Sequence, residues 1–140
     1  MQFKNKFKTA RCILRCNDQF LLAVHSSFWA RPNRRWGLPG GNIEWREAPE
    51  VAAKREIMEE FDLTLGDLTE IGAYPYKGHQ HMVYGAEIPQ QISYYDDTEL
   101  LEIGWFGLDE IRTLRDEQKL HAGYEWQAIQ AFRTRISGPL

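Results

Sequence analysis

Glu47–Leu63 reads E-A-P-E-V-A-A-K-R-E-I-M-E-E-F-D-L and follows the glycine pair Gly40-Gly41. Pro49 suits a first helical turn, where its missing N–H would have no partner anyway. Glu50 to Phe61 are good helix formers with no internal Gly or Pro. At about 100° per residue, Ala53, Ile57 and Phe61 fall on one narrow stripe and are expected to face a core. Glu56, Glu59 and Glu60 occupy the adjacent arc, one turn or less apart.

Like charges on neighbouring turns repel, and no Lys or Arg of this helix is expected inside their arc. A helix shaped only for stability would interleave lysines. A hard divalent cation explains the pattern, because Mg²⁺ or Mn²⁺ takes carboxylate oxygens on one side and water or phosphate on the other. The plain alternative is a solvated acidic face.

Gly41, Glu47 and the run Arg55-Glu56-Ile57-x-Glu59-Glu60-x-x-Leu63 stand at the spacing G-x5-E-x7-R-E-U-x-E-E-x-G-U, with U a bulky aliphatic. This closely resembles the signature box of the Nudix hydrolase family. One position departs: Asp62 stands where the family has Gly. That glycine usually takes a left-handed conformation, which Asp visits with modest strain. The departure bears on local stability more than on chemistry.

The chain's 140 residues suffice for one domain, here taken as 1–140 with 1–8 as a loose arm. A net charge of −3 gives no electrostatic case for a general nucleic-acid binder. No apolar run approaches a membrane span and the start lacks a signal-peptide core, so a cytoplasmic location is the expectation. On one strand, Cys12 and Cys16 would share a face ~13 Å apart, too far for a disulfide.

Along the chain, Thr9–Cys16 and Phe20–Val24 read as a hairpin around Asn17-Asp18. The loop 26–35 carries Trp29, Arg31, Arg34 and Arg35, which could cradle a polyphosphate or simply be solvated. Asn42–Trp45 reads as a short strand, and Ala48 as a weak N-cap. Leu68–Tyr76 and His81–Ile88 read as strands joined near Lys77-Gly78. Tyr76 and His81 could line a substrate pocket or fill a sheet face. His79 and His81 lack a carboxylate or Cys to complete a metal site. An acidic loop precedes a Trp105-bearing strand, then a short helix over 109–114 and a longer one over 121–136.

Alternating strands and helices fit an α/β fold. The resemblance implies the Nudix-type α/β/α sandwich, with a mixed central sheet and the box as loop–helix–loop. It implies a metal-dependent hydrolase cleaving the pyrophosphate of a nucleoside triphosphate, ADP-ribose, nucleotide sugar or dinucleoside polyphosphate, through metal-activated water on phosphorus. In that family the Gly40 carbonyl, Glu56, Glu59 and Glu60 correspond to the Mg²⁺ or Mn²⁺ shell. Glu99, with Glu102 in reserve, corresponds to a loop carboxylate that binds metal or serves as base. Gly41, Glu47 and Arg55 support the site from behind. The partner implied is a small nucleotide, and many relatives form homodimers. The Gln-Pro-Trp-Pro-Phe-Pro-like run of NADH enzymes is absent. The alternatives are a Nudix-fold sensor without useful turnover and a nucleotide-sugar hydrolase that breaks a carbon–oxygen bond.

Overall fold

The computed structural model describes residues 6–26 and 34–137. In chain order the elements are β1 (Phe7–Cys16), β2 (Gln19–His25), β3 (Gly40–Asn42), α1 (Pro49–Phe61), β4 (Thr69–Tyr76), β5 (His79–Glu87), β6 (Leu100–Phe106), α2 (Leu108–Asp116) and α3 (Glu125–Ser137). The sheet runs β4-β5-β1-β2-β6, with β3 also paired to β1. Only β1 and β5 are parallel, so the sheet is mixed.

The expected hairpin forms. Asn17 and Asp18 both take positive φ (52° and 60°), as a two-residue turn between twisted strands requires. β1 starts at Phe7, which pairs with Gln80, so Phe7 and Lys8 belong to the sheet and not to a loose arm.

Alternation along β1 and β2 builds the two faces. Ile13, Phe20 and Leu22 join Ile111 of α2 and Ile129 and Phe132 of α3 in one core cluster. Cys12, Leu14, Leu21 and Ala23 join Ile57 and Phe61 of α1 in another. Helices on both faces of a mixed sheet make the α/β/α sandwich. Both cysteines are free and buried.

A split in the sheet positions the site. β1 meets β2 only at Arg15↔Phe20 and Cys16↔Gln19. Farther back along β1, the segment 36–42 enters between the two strands. Gly37 and Ala23 exchange backbone hydrogen bonds of 2.8 and 2.9 Å, the Cys12 N–H donates to the Pro39 carbonyl at 2.9 Å, and Gly40–Asn42 pairs with Thr9–Arg11.

Two expected boundaries are corrected. β3 covers 40–42 and not 42–45. Ile43 N–H donates to Lys8 O at 3.2 Å, after which the chain turns away and leaves Trp45 76 % exposed. The last helix starts at Glu125 and not at His121. His121 N–H donates to Trp36 O at 2.7 Å and Trp36 N–H to Lys119 O at 2.9 Å, which commits that backbone to a bridge. Glu125 then accepts from the Ala122 and Gly123 N–H groups at 2.9 and 2.7 Å.

Candidate active site

α1 begins after Ala48, which makes no side-chain cap, and ends on Asp62 in the left-handed region at φ 54°. Ala53, Ile57 and Phe61 are buried, and so is Glu60, at 2 % exposed. Glu60 therefore lies under the surface and not on a solvated arc. One of its oxygens accepts from the Gly40 N–H at 3.1 Å. The other lies 3.9 Å from His25 Nδ1. Burial pushes the Glu60 carboxyl up to about 8, with the charge of Glu56 and then of Glu99 acting the same way against the Gly40 N–H.

The two glycines are steric requirements. Gly40 has φ 138°, and a Cβ there would meet the Ala10 carbonyl at 2.3 Å. A Cβ on Gly41 would fall 2.5 Å from the Glu56 carboxyl carbon. Glu56 thus lies flat against the Gly41 backbone, and burial raises its pKa as well.

Arg55 corrects the expectation of an uncompensated arc. Its Nε and Nη2 donate to the two Glu47 oxygens at 2.7 and 2.9 Å, and Nη2 also donates to Asn42 O at 3.0 Å. Its Nη1 donates to Glu56 and Glu59, both at 3.1 Å. The long side chain folds back over the next turn, so an arginine placed on the flank still reaches the arc. The fork holds Glu47 well below the usual carboxylate range. Glu47 in turn accepts from Glu44 N–H at 3.0 Å, which ties the loop before the helix.

Glu56, Glu60 and Glu99 line one cleft of about 470 Å³ together with Gly40, Gly41, Arg11, His25 and His121. Glu59 does not line it; its carboxylate sits with Arg55. Arg11, which sequence reading did not single out, donates to Gly40 O at 3.0 Å and to Leu38 O at 3.4 Å. It is a half-buried charge between buried Thr9-Ala10 and buried Cys12-Ile13-Leu14. His25 Nε2 meets Leu38 O at 3.2 Å, and burial pushes this imidazole down to about 4, with Arg11 adding to the fall.

The expected substrate contacts fare unevenly. Arg31 and Trp29 lie outside the described residues. Arg34 pairs with Glu102. Arg35 and Tyr76 line a second cleft, and His121 lines both. His81 is buried, bonded through Nδ1 to Thr9 Oγ1 at 2.7 Å and through Nε2 to Tyr76 O at 3.2 Å, and lines neither cleft. Its two ring nitrogens are committed to structure.

The donor set suits a hard cation in kind: carboxylates, a backbone carbonyl and room for water. Glu60, held protonated near neutrality by burial, is a group whose charge a cation would restore. Among the described residues, however, no three His, Cys, Asp or Glu side chains converge closely enough to hold an ion between them. The convergent pair is Glu56 and Glu60, with Gly40 beside them.

Residues 6–127 match the NUDIX domain family. The chain belongs to the Nudix hydrolase family. It is 34 % identical over 126 residues to an NAD-capped RNA hydrolase NudC of Mycobacterium bovis, covering 88 % of this chain and 37 % of that protein. The chain thus spans little more than a third of those relatives' length. It is 32 % identical over 126 residues to diphosphoinositol polyphosphate phosphohydrolase 2 of Rattus norvegicus, covering 84 % of this chain and 68 % of that protein. The structure of a MutT NUDIX hydrolase from Burkholderia pseudomallei superposes with a TM-score of 0.65 at 25 % identity, over 76 % of this chain and 87 % of that one. The fold is also that of the NUDIX domain of Shewanella oneidensis NrtR complexed with ADP ribose, with a TM-score of 0.74 at 20 % identity, over 96 % of this chain and 90 % of that one. No helix among the described residues is long and apolar enough to cross a membrane.

Proposed function

We propose that this Nudix domain is a metal-dependent hydrolase that cleaves the pyrophosphate bond of a nucleoside diphosphate derivative, with water attacking phosphorus. The observation that carries the reading is the meeting of Glu56, Glu60 and Glu99 in one cleft floored by Gly40 and Gly41. Glu56, Glu60 and the Gly40 carbonyl would hold Mg²⁺ or Mn²⁺. Glu59 would join them only by leaving Arg55. The ion supplies charge neutralisation at the phosphate oxygens and a lowered pKa for bound water.

The chain's own residues do the rest. Gly41 lets the Glu56 carboxylate lie against the backbone. Arg55 and Glu47 fix the loop from behind. Glu99, which lines the same cleft, or one of the box glutamates would accept the proton from water. Arg11 has no carboxylate within ion-pair distance among the described residues; its Nε and Nη1 donate to Thr9 and to the Leu38 and Gly40 carbonyls, and its positive charge in the cleft lining suits phosphate oxygens.

The NudC relatives are named for NAD-capped RNA, yet this chain lacks the NADH-type run after its box. Incubation with ADP-ribose, NAD⁺, nucleoside triphosphates and dinucleoside polyphosphates, with Mg²⁺ and with Mn²⁺, tests the proposal. The expected result is release of a phosphate-bearing fragment, with label from isotopic water on phosphorus. Label on a sugar carbon would instead mean carbon–oxygen cleavage. The Arg55 bonds to Glu56 and Glu59 favour a second reading, a nucleotide sensor. Tight binding without release under any metal would decide for it.

A further inference from the structure

The second cleft, of about 460 Å³, is walled by Arg35, Lys77 and Arg115 together with Tyr76 and His121, and its lining holds no carboxylate. The chain as a whole carries a net charge of −3, so this concavity gathers cations against the general balance. Arg115 is engaged: it pairs with Asp116 at 2.9 Å and lies 5.0 Å over the Trp126 ring. Arg35 and Lys77 are not. Among the described residues neither has a carboxylate partner, and Lys77 Nζ merely sits 5.5 Å over the ring of its neighbour Tyr76.

The cations come from separate stretches of chain. Arg35 precedes the segment that splits the sheet, Lys77 tips the β4–β5 turn, and Arg115 ends α2. Two cations without a carboxylate partner, Arg35 and Lys77, in one concave wall suit an anion. His121 joins this cleft to the one holding Glu56 and Glu60, and its ring stands 5.4 Å from that of Tyr76. The two clefts share the His121 wall, so a substrate that occupies both would have to run past this ring.

We propose that this second cleft binds a phosphate group carried by the substrate beyond the pyrophosphate that lies at the carboxylates. The assignment of the neighbouring cleft to pyrophosphate rests on the hydrolase reading above; the anion preference rests on Arg35 and Lys77. The group is either a phosphate monoester on the ribose or a further phosphate along the chain. The same two side chains would serve both.

Titration calorimetry in chelator, with no divalent metal, tests it. ADP is the reference. Adenosine 5′-diphosphates with an added 2′- or 3′-phosphate place the extra group on the ribose, and ATP places it along the chain. At least one of these is expected to bind about tenfold tighter than ADP, in keeping with charge-assisted hydrogen bonds to phosphate. The arm that gains identifies the source. In Arg35→Gln/Lys77→Asn the gain should shrink to about twofold or less. Asn is chosen because Lys77 has φ 50°, which Asn tolerates. Binding of all four nucleotides within about twofold in the wild type would overturn the proposal, and so would a preference that survives in the double variant. Should the double variant melt well below the wild type, the single variants carry the same comparison. Absence of metal-dependent turnover would sink the hydrolase reading and leave this comparison intact, since neither metal nor reaction enters it.

Discussion

Arg55 grips Glu47 with two parallel hydrogen bonds, 2.7 Å from Nε and 2.9 Å from Nη2, across eight residues of chain. The pair joins the helix to the loop that leads from Gly41. Removing the arginine leaves a largely buried Glu47 carboxylate without its partner. Arg55→Ala is expected to lose about 2 kcal/mol of stability, in the range for an interrupted charged hydrogen bond. Arg55→Lys should recover little, because an ammonium cannot fork. Urea unfolding of the three proteins measures it; a loss within about 0.5 kcal/mol for the alanine variant would mean that the fork carries no weight.

Glu60 yields a different kind of prediction. Glu60→Gln should end hydrolysis, and the buried position governs what happens to the fold. Its carboxyl is raised to about 8 where an unfolded chain would hold it near 4.5. A raised acid contributes stability that is complete below the unfolded value and is lost as pH rises through the folded one. The metal-free wild type should thus weaken steadily up to a little above pH 8 and then level off. Gln cannot ionise and keeps an oxygen for the Gly40 N–H. The variant should melt above the wild type on the alkaline side and close to it in acid. Equal melting temperatures for the two proteins across that range would mean that Glu60 ionises freely in the fold.

On the proposed metal-dependent reading, the same protonated carboxyl sets the pH behaviour of ion binding. An ion held by Glu60 must displace a proton wherever the free protein retains one, which is below about 8. Titration with Mn²⁺ in buffers of differing ionisation enthalpy should show about one proton released in neutral solution and close to none well above that value. Removing the metal with chelator should return the proton. No proton release at neutral pH would place the ion away from Glu60.

How much of this could be read in advance follows from the range of the forces involved. The helix over 49–61 was legible because proline, periodicity and box spacing all act within two turns. So was the sandwich, since strands alternating with helices fit an α/β layering and the resemblance of the box implies the rest. Arg11 and His121 were not. Arg11 reaches the site only because residues 36–42 wedge between β1 and β2, a pairing between segments 29 residues apart. His121 is held by a bridge to Trp36 that interrupts an otherwise helical pattern. The role of Arg55 was half legible: its partner Glu47 follows from the spacing, but its reach to Glu56 and Glu59 depends on how a long side chain bends. His81 misled because a ring beside aromatics resembles a pocket wall, whereas Thr9 and Tyr76 consume both its nitrogens.

His25 predicts acid sensitivity. Its folded pKa falls to about 4 from a reference of 6.5. A depressed histidine contributes stability that is present above the unfolded value and is lost as pH drops through the folded one. The window is therefore from 6.5 down to about 4. His25→Gln, which can still donate to Leu38 O, should flatten the fall in unfolding free energy across that window. An unchanged slope in the variant would assign the acid loss to other groups.

Asp62 closes α1 at φ 54° and ψ 41°, with its backbone N–H bonded to Met58 O at 2.9 Å. That bond belongs to the backbone and survives any substitution other than proline. The side chain is exposed, and among the described residues no ion pair or side-chain hydrogen bond from it is present. What Asp contributes is only tolerance of a left-handed conformation that glycine adopts without a Cβ clash. Glycine also gives the unfolded chain more freedom to lose, which offsets part of the relief. The two effects are each below about 1 kcal/mol and opposed, so Asp62→Gly should leave stability unchanged or raise it by a few tenths. Metal-dependent turnover should not move, because Glu59 and Glu60 keep their helical positions. A fall in stability of more than about 1 kcal/mol in thermal or urea unfolding would show that the carboxylate has a partner in solution.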